Sequence, residues 1–139
     1  MKLDELKAEL RRDEGNVSHA YQDHLGFWTI GVGRLIDQRR GGGLSEDEID
    51  LLLTNDIHRV VSALRRVDGW SDLPERKQQA LLNMAFQLGV TGLLGFREMW
   101  KALRRRDWKM AEYEALDSKW ARQTPARAAR VAAILAEPA

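Results

Sequence analysis

A chain of 139 residues with 44 % hydrophobic and 31 % charged side chains has the make-up of one soluble domain with a core, neither disordered nor membrane-spanning. It contains no cysteine, which excludes a disulfide framework and a thiolate zinc site and fits synthesis in a reducing cytoplasm. The formal net charge is only +1, yet arginines cluster at Arg11-Arg12, Arg39-Arg40, Arg65-Arg66 and Arg104-Arg105-Arg106. These clusters read either as solvated helix faces and loop ends or as attraction to an anionic polymer, cell wall or nucleic acid.

The first residues, Met1-Lys2-Leu3-Asp4-Glu5-Leu6-Lys7, are charged and lack the apolar stretch of a signal peptide or membrane anchor. The expectation is cytoplasmic synthesis without stable membrane insertion. Leu3, Leu6 and Leu10 share a helical face and Gly15 is a natural stop, which predicts a helix over 2–13 with Glu14 at its C-terminal end. From Ala20 to Ile36 aromatic and β-branched residues (Tyr21, Phe27, Trp28, Thr29, Ile30, Val32) alternate with Gly26, Gly31 and Gly33, the pattern of a short hairpin. Arg39-Arg40-Gly41-Gly42-Gly43 is a turn too short to link domains.

Ser45-Glu46-Asp47-Glu48 is a capping box, predicting a long helix to about Arg66. Its stripe is Ile49, Leu52, Leu53, Ile57, Val60, Val61 and Leu64, and Asp56 falls on the same stripe, where a carboxylate needs a partner. Asp72 and Pro74 start the next helix, which carries Leu81, Met84, Ala85 and Leu88 and ends at Gly89. A turn or short helix over 89–95 leads into helices over 96–105 and 107–116. Thr124-Pro125 is an N-cap followed by proline at the first helical position, opening a last helix to about Leu135. The sum is an α+β, predominantly helical chain with one small β region near its start.

Glu14 and Asp23 are two carboxylates on different elements flanking a β turn. Glycoside hydrolysis uses such a pair, one protonating the leaving oxygen and one activating water or attacking the sugar. Alone the pair is a weak signal among 21 acids. Around it, Leu10-Arg11-Arg12-Asp13-Glu14-Gly15 and Tyr21-Gln22-Asp23-His24-Leu25-Gly26-Phe27-Trp28-Thr29-Ile30-Gly31-Val32-Gly33 resemble the signature of the phage-type lysozymes (glycoside hydrolase family 24, with the T-even phage endolysin). The resemblance continues in Asn83-Met84-Ala85-Phe86-Gln87-Leu88-Gly89, in Thr91-Gly92 and Phe96, in Ser118-Lys119-Trp120, and in Gln123-Thr124-Pro125-Ala126-Arg127-Ala128-Ala129-Arg130-Val131.

The resemblance implies one domain over 1–139, a two-lobe lysozyme-like fold with a small β-hairpin lobe and the active site between lobes. It implies a muramidase cutting the β-1,4 bond between N-acetylmuramic acid and N-acetylglucosamine in peptidoglycan, by inversion. Glu14 would be the general acid, Asp23 the carboxylate that positions water, and Thr29 the hydroxyl that helps hold it. Inversion predicts a Glu14–Asp23 carboxyl separation of roughly 6.5–9.5 Å. Leu35, Phe86 and Gln87 match substrate-contact positions, although Phe86 and Gln87 could equally be structural support. Arg127 matches an arginine that orients the acid. Trp120 reads better as core than as a sugar platform, and His19, His24 and His58 show no metal-ligand spacing.

Where relatives commonly carry a histidine after the Thr-Ile-Gly-x-Gly run, this chain has Arg34. Its expected partner is Asp56, the aspartate on the long-helix stripe, in an ion pair joining hairpin and helix. The segment 36–44 is much shorter than in the T-even enzyme and the chain stops sooner, which leaves the number of sugar subsites open. No cofactor or metal is expected, and the molecule is expected to be a monomer. It would be made in the host cytoplasm and act on the wall in the periplasm, with a holin as the implied route. A lytic transglycosylase could dispense with Asp23 and Thr29, an inactive wall-binding or tail-assembly protein could dispense with all three, and no docking motif supports a nucleic-acid module.

Overall fold

The computed structural model describes residues 2–36 and 41–139; Arg39-Arg40 of the expected turn and the side chain of Leu6 lie outside the described residues. The elements run α1 (Leu3–Glu14), β1 (Val17–Gln22), β2 (Trp28–Gly31), β3 (Arg34–Leu35), α2 (Glu46–Leu64), α3 (Glu75–Leu94), α4 (Arg97–Arg104), α5 (Trp108–Leu116), α6 (Lys119–Gln123) and α7 (Pro125–Ala136). This is the expected mainly helical α+β composition. The chain divides into two compact units, Met1–Leu52 and Leu53–Ala139, with the division inside α2.

In the first unit Gly15, at φ +88°, ends α1 and donates its N–H to the Arg11 carbonyl at 3.0 Å. The β region is a three-stranded antiparallel sheet in the order β1-β2-β3, not the single hairpin that the residue pattern predicts. Tyr21 faces Thr29 across one ladder and Leu35 faces Thr29 across the other, with an irregularity in β1 between Val17 and Tyr21. The third strand has only two residues, too few for an alternation to show in sequence. The capping box forms as expected: Ser45 N–H donates to Glu48 Oε1 at 2.9 Å and Glu48 N–H to Ser45 Oγ at 3.3 Å. Among the described residues of this unit, only Thr29 is buried. Leu3 and Leu10 stay exposed, as do Ile49 and Leu52 on the α2 stripe.

The second unit holds the core. Leu64, Trp70, Leu81, Met84, Leu93, Met99, Trp100, Leu103, Trp120, Val131 and Leu135 belong to one buried cluster in which α5 packs on α4 and α7, and α3 on α7. Of the expected α2 stripe, only Leu64 is buried; Leu53 is exposed and Val60 partly buried against the cluster. Gly89, at φ +75° and ψ 162°, breaks α3 where the sequence places a stop. Pro74 occupies the N-cap of α3 rather than its first turn. Asp107 caps α5 by accepting the Met110 N–H at 3.2 Å. The five-residue α6 has no counterpart among the expected helices; Ser118 caps it through the Ala121 N–H at 3.1 Å. Pro125 opens α7 as expected, but Thr124 does not cap it with its side chain: its hydroxyl donates to the Trp120 carbonyl at 2.9 Å and its oxygen accepts from Gln87 Nε2.

Lys77 on α3 is buried. Its ammonium donates to the carbonyls of Ile134 (3.3 Å), Leu135 (2.8 Å) and Glu137 at the end of α7, and lies 4.5 Å from the centre of the Trp108 ring. Burial pushes its pKa below the usual lysine range, partly offset by the Glu137 carboxylate, while Arg106 adds to the lowering. Among the described residues no single helix is long and apolar enough to cross a membrane.

Candidate active site

In the first unit Glu14 is the last residue of α1, exposed, and held at the point where Gly15 turns the chain into β1. The turn between β2 and β3 passes beside it: a Cβ built on Gly33 would lie 3.0 Å from Glu14 Oε2. Asp23 follows β1 directly. Its Oδ1 accepts the N–H groups of Leu25 and Phe27, both at 2.9 Å, while its own N–H donates to the Phe27 carbonyl at 2.8 Å. This is an Asx-type turn in which the carboxylate organises its own loop. Two donors occupy Oδ1 and leave Oδ2 unengaged among the described residues. Asp23 is thus a turn residue and still presents a free carboxylate oxygen.

Thr29 sits in the middle strand, 2 % exposed, and its hydroxyl donates to the Phe27 carbonyl at 3.1 Å. The proton is committed there, so Oγ1 faces any further partner as an acceptor. Phe27 therefore links the two candidates, its N–H to Asp23 and its carbonyl to Thr29. Leu35, cross-strand from Thr29, lines an apolar cavity of about 520 Å³ with Ile30, Val32, Ile36, Leu44 and Leu52.

Arg34 pairs with Glu48, whose carboxyl is held down to about 2 by the Ser45 N–H first and the Arg34 hydrogen bond next. The partner expected for Arg34 is Asp56, which belongs to the second unit. That pair would join the two units; within its own unit each residue has another partner, Glu48 for Arg34 and Arg59 for Asp56 one turn along α2. The reason is local: the capping box already fixes Glu48 at the start of α2, within reach of β3.

In the second unit α3 presents Asn83, Phe86 and Gln87, spaced to share one side of a helix. Phe86 is exposed. Gln87 is tethered: its Oε1 accepts the Trp120 indole N–H at 2.8 Å and its Nε2 donates to Thr124 Oγ1 at 3.4 Å. Trp120 is buried with its ring edge-on to Phe96 at 6.2 Å, which makes it core, as expected, with its N–H anchoring Gln87. Arg127 on α7 is clamped to one residue, donating from Nε to Asn83 Oδ1 at 2.9 Å and from Nη2 to the Asn83 carbonyl at 3.1 Å. A cavity of about 660 Å³ in this unit includes Trp120 but neither Phe86 nor Gln87. Nothing in the sequence distinguishes Gly33, Asn83 and Thr124 as neighbours of site residues, although all three lie in the blocks that carry the resemblance. Among the described residues no group of three or more His, Cys, Asp or Glu could hold a metal ion.

The family model described as phage lysozyme matches residues 11–135. The chain is 32 % identical over 152 aligned positions to the pre-baseplate central spike protein Gp5 of Enterobacteria phage T4, covering 91 % of this chain but only 26 % of that protein. It is 26 % identical over 157 positions to a Dictyostelium discoideum protein named "Probable T4-type lysozyme 1", covering 94 % of this chain and 92 % of the relative. To the endolysin of Acyrthosiphon pisum secondary endosymbiont phage 1 it is 26 % identical over 113 positions, covering 81 % and 75 % respectively.

Proposed function

The chain belongs to the phage lysozyme family, and on that footing we propose that it is a muramidase that hydrolyses the glycan strands of bacterial peptidoglycan with Glu14, Asp23 and Thr29. The observation that carries the reading is the bonding around Phe27. Asp23 offers an unengaged Oδ2 and Thr29 an acceptor oxygen, both oriented by the same backbone unit. A water between them donates one proton to each and keeps a lone pair for the anomeric carbon. Glu14 delivers its proton to the glycosidic oxygen as the bond to the leaving sugar breaks, and Asp23 takes a proton from the attacking water. The anomeric configuration inverts, Asp23 releases its proton to solvent and Glu14 is reprotonated from it. Leu35, Phe86 and Gln87 are the proposed glycan contacts, with Gln87 held in place by Trp120. Arg127, braced on Asn83, serves as a support, as do Arg34 and Asp56. In this reading the protein acts as a monomer on the wall from the periplasm, after cytoplasmic synthesis and passage through a holin.

The relative named as a central spike protein favours a second setting, in which this domain opens the wall as part of a phage particle. Both settings share the chemistry, which digestion of purified peptidoglycan tests. Wild type is expected to release reducing-end muropeptides of inverted configuration, and Glu14→Gln and Asp23→Asn to lose activity by about 10²–10⁴-fold. Anhydro-ended products would move the protein to the transglycosylases, and binding without products would make it a wall-binding protein.

A further inference from the structure

Gly31 and Gly33 bracket Val32 in the turn from β2 to β3, with φ of +69° and +70°. Both occupy the left-handed region that side chains disfavour, so backbone conformation gives each the same reason to be glycine. Their surroundings differ. A Cβ on Gly31 meets nothing within 4 Å, whereas a Cβ on Gly33 lies 3.0 Å from Glu14 Oε2, 3.4 Å from its Cβ and 3.7 Å from its Cδ. The bare flank of Gly33 therefore runs along the whole Glu14 side chain, from its root to one carboxylate oxygen. An added methyl would be relieved at the movable end: the Glu14 Cβ is fixed to α1, while the carboxylate can swing aside.

We propose that Gly33 is a positioning residue for Glu14, the surface against which the acid's carboxyl lies during the reaction. The proposal rests on the reading of Glu14 as the general acid. It follows from the precision that proton delivery needs. A general acid works within about 2.6–3.2 Å of the oxygen it protonates, and a displacement of about 1 Å costs on the order of 10²-fold in rate. Pushing the carboxylate aside by a few tenths of an ångström disturbs that distance.

The test compares Gly31→Ala with Gly33→Ala, with wild type and Glu14→Gln alongside, on purified peptidoglycan. The strain of a side chain at positive φ is common to both alanine variants, so their urea midpoints are expected to fall equally. In Gly33→Ala alone, kcat is expected to be about tenfold below that of Gly31→Ala with KM unchanged. The pair Gly31→Asn and Gly33→Asn repeats the comparison with a residue that accepts positive φ, should either alanine variant fail to fold. Equal kcat within each pair, with Glu14→Gln inactive, would overturn the proposal and leave Glu14 as the acid. Full activity in Glu14→Gln would overturn both.

Discussion

Replacing Lys77 by methionine removes three hydrogen bonds from the end of α7 while leaving the packing around the side chain nearly unchanged. The lysine is 2 % exposed and its ammonium serves the carbonyls of Ile134, Leu135 and Glu137. Hydrogen bonds from a charged donor are worth about 1.5–3 kcal/mol each, but these three share one charge and do not add. Two terms reduce the loss. The variant no longer buries an ammonium, a cost visible in the lowered pKa of Lys77, and the thioether replaces the contact with Trp108 at about 0.3–1.5 kcal/mol. The net expectation is a destabilisation of about 2–4 kcal/mol, which at this chain length lowers Tm by about 6–16 °C. Urea unfolding checks it, with the midpoint falling at constant m. Activity at 25 °C should survive, because Arg127 lies at the opposite end of α7. A loss below about 1 kcal/mol would show that water satisfies the freed carbonyls and would refute the reasoning.

Glu48 is depressed to about 2 in the folded state, so its contribution to stability is fully present above the ordinary glutamate range and is lost as pH falls from about 4.3 through about 2. Glu48→Gln should therefore show a smaller drop in urea midpoint than wild type over that window. Trp120→Phe takes away the indole N–H that holds Gln87 Oε1; a loss of about 1–3 kcal/mol is expected, and, if Gln87 touches the glycan, a higher KM than the loss of stability alone would cause. Arg127→Lys cannot donate both to the Asn83 side chain and to its carbonyl with the arginine's fork, and should cost about 1–2 kcal/mol in thermal unfolding.

The features legible in the amino-acid sequence are those that depend on near neighbours in the chain. The capping box of Ser45 and Glu48, the stops at Gly15 and Gly89, and the proline opening α7 are decided within a few residues, so their signals stand consecutively. The candidate catalytic set is legible for a similar reason: Glu14, Asp23 and Thr29 lie within sixteen consecutive residues, and their blocks carry the family resemblance. Lys77 leaves a fainter trace, since it stands four before Leu81 and seven before Met84 on the buried stripe of α3.

Tertiary structure decided the matters in which one segment must choose among distant partners. Arg34 could neutralise several carboxylates, and the fixed position of Glu48 at the start of α2 selects one. Thr124 could cap the helix after it or bond to the one before it, and proximity of the Trp120 carbonyl directs the hydroxyl backward. The α2 stripe has the periodicity of a buried face, but burial requires a surface to pack against, and only its Leu64 end has one. Gly31 and Gly33 are indistinguishable by residue type and by φ; only the placement of α1 beside the sheet sets Glu14 against one and leaves the other open. Sequence alone determined where most helices begin and end and to which family the chain belongs, because those depend on local spacing. Which atoms meet was left to the fold, because contact is a property of space that spacing along a chain does not contain.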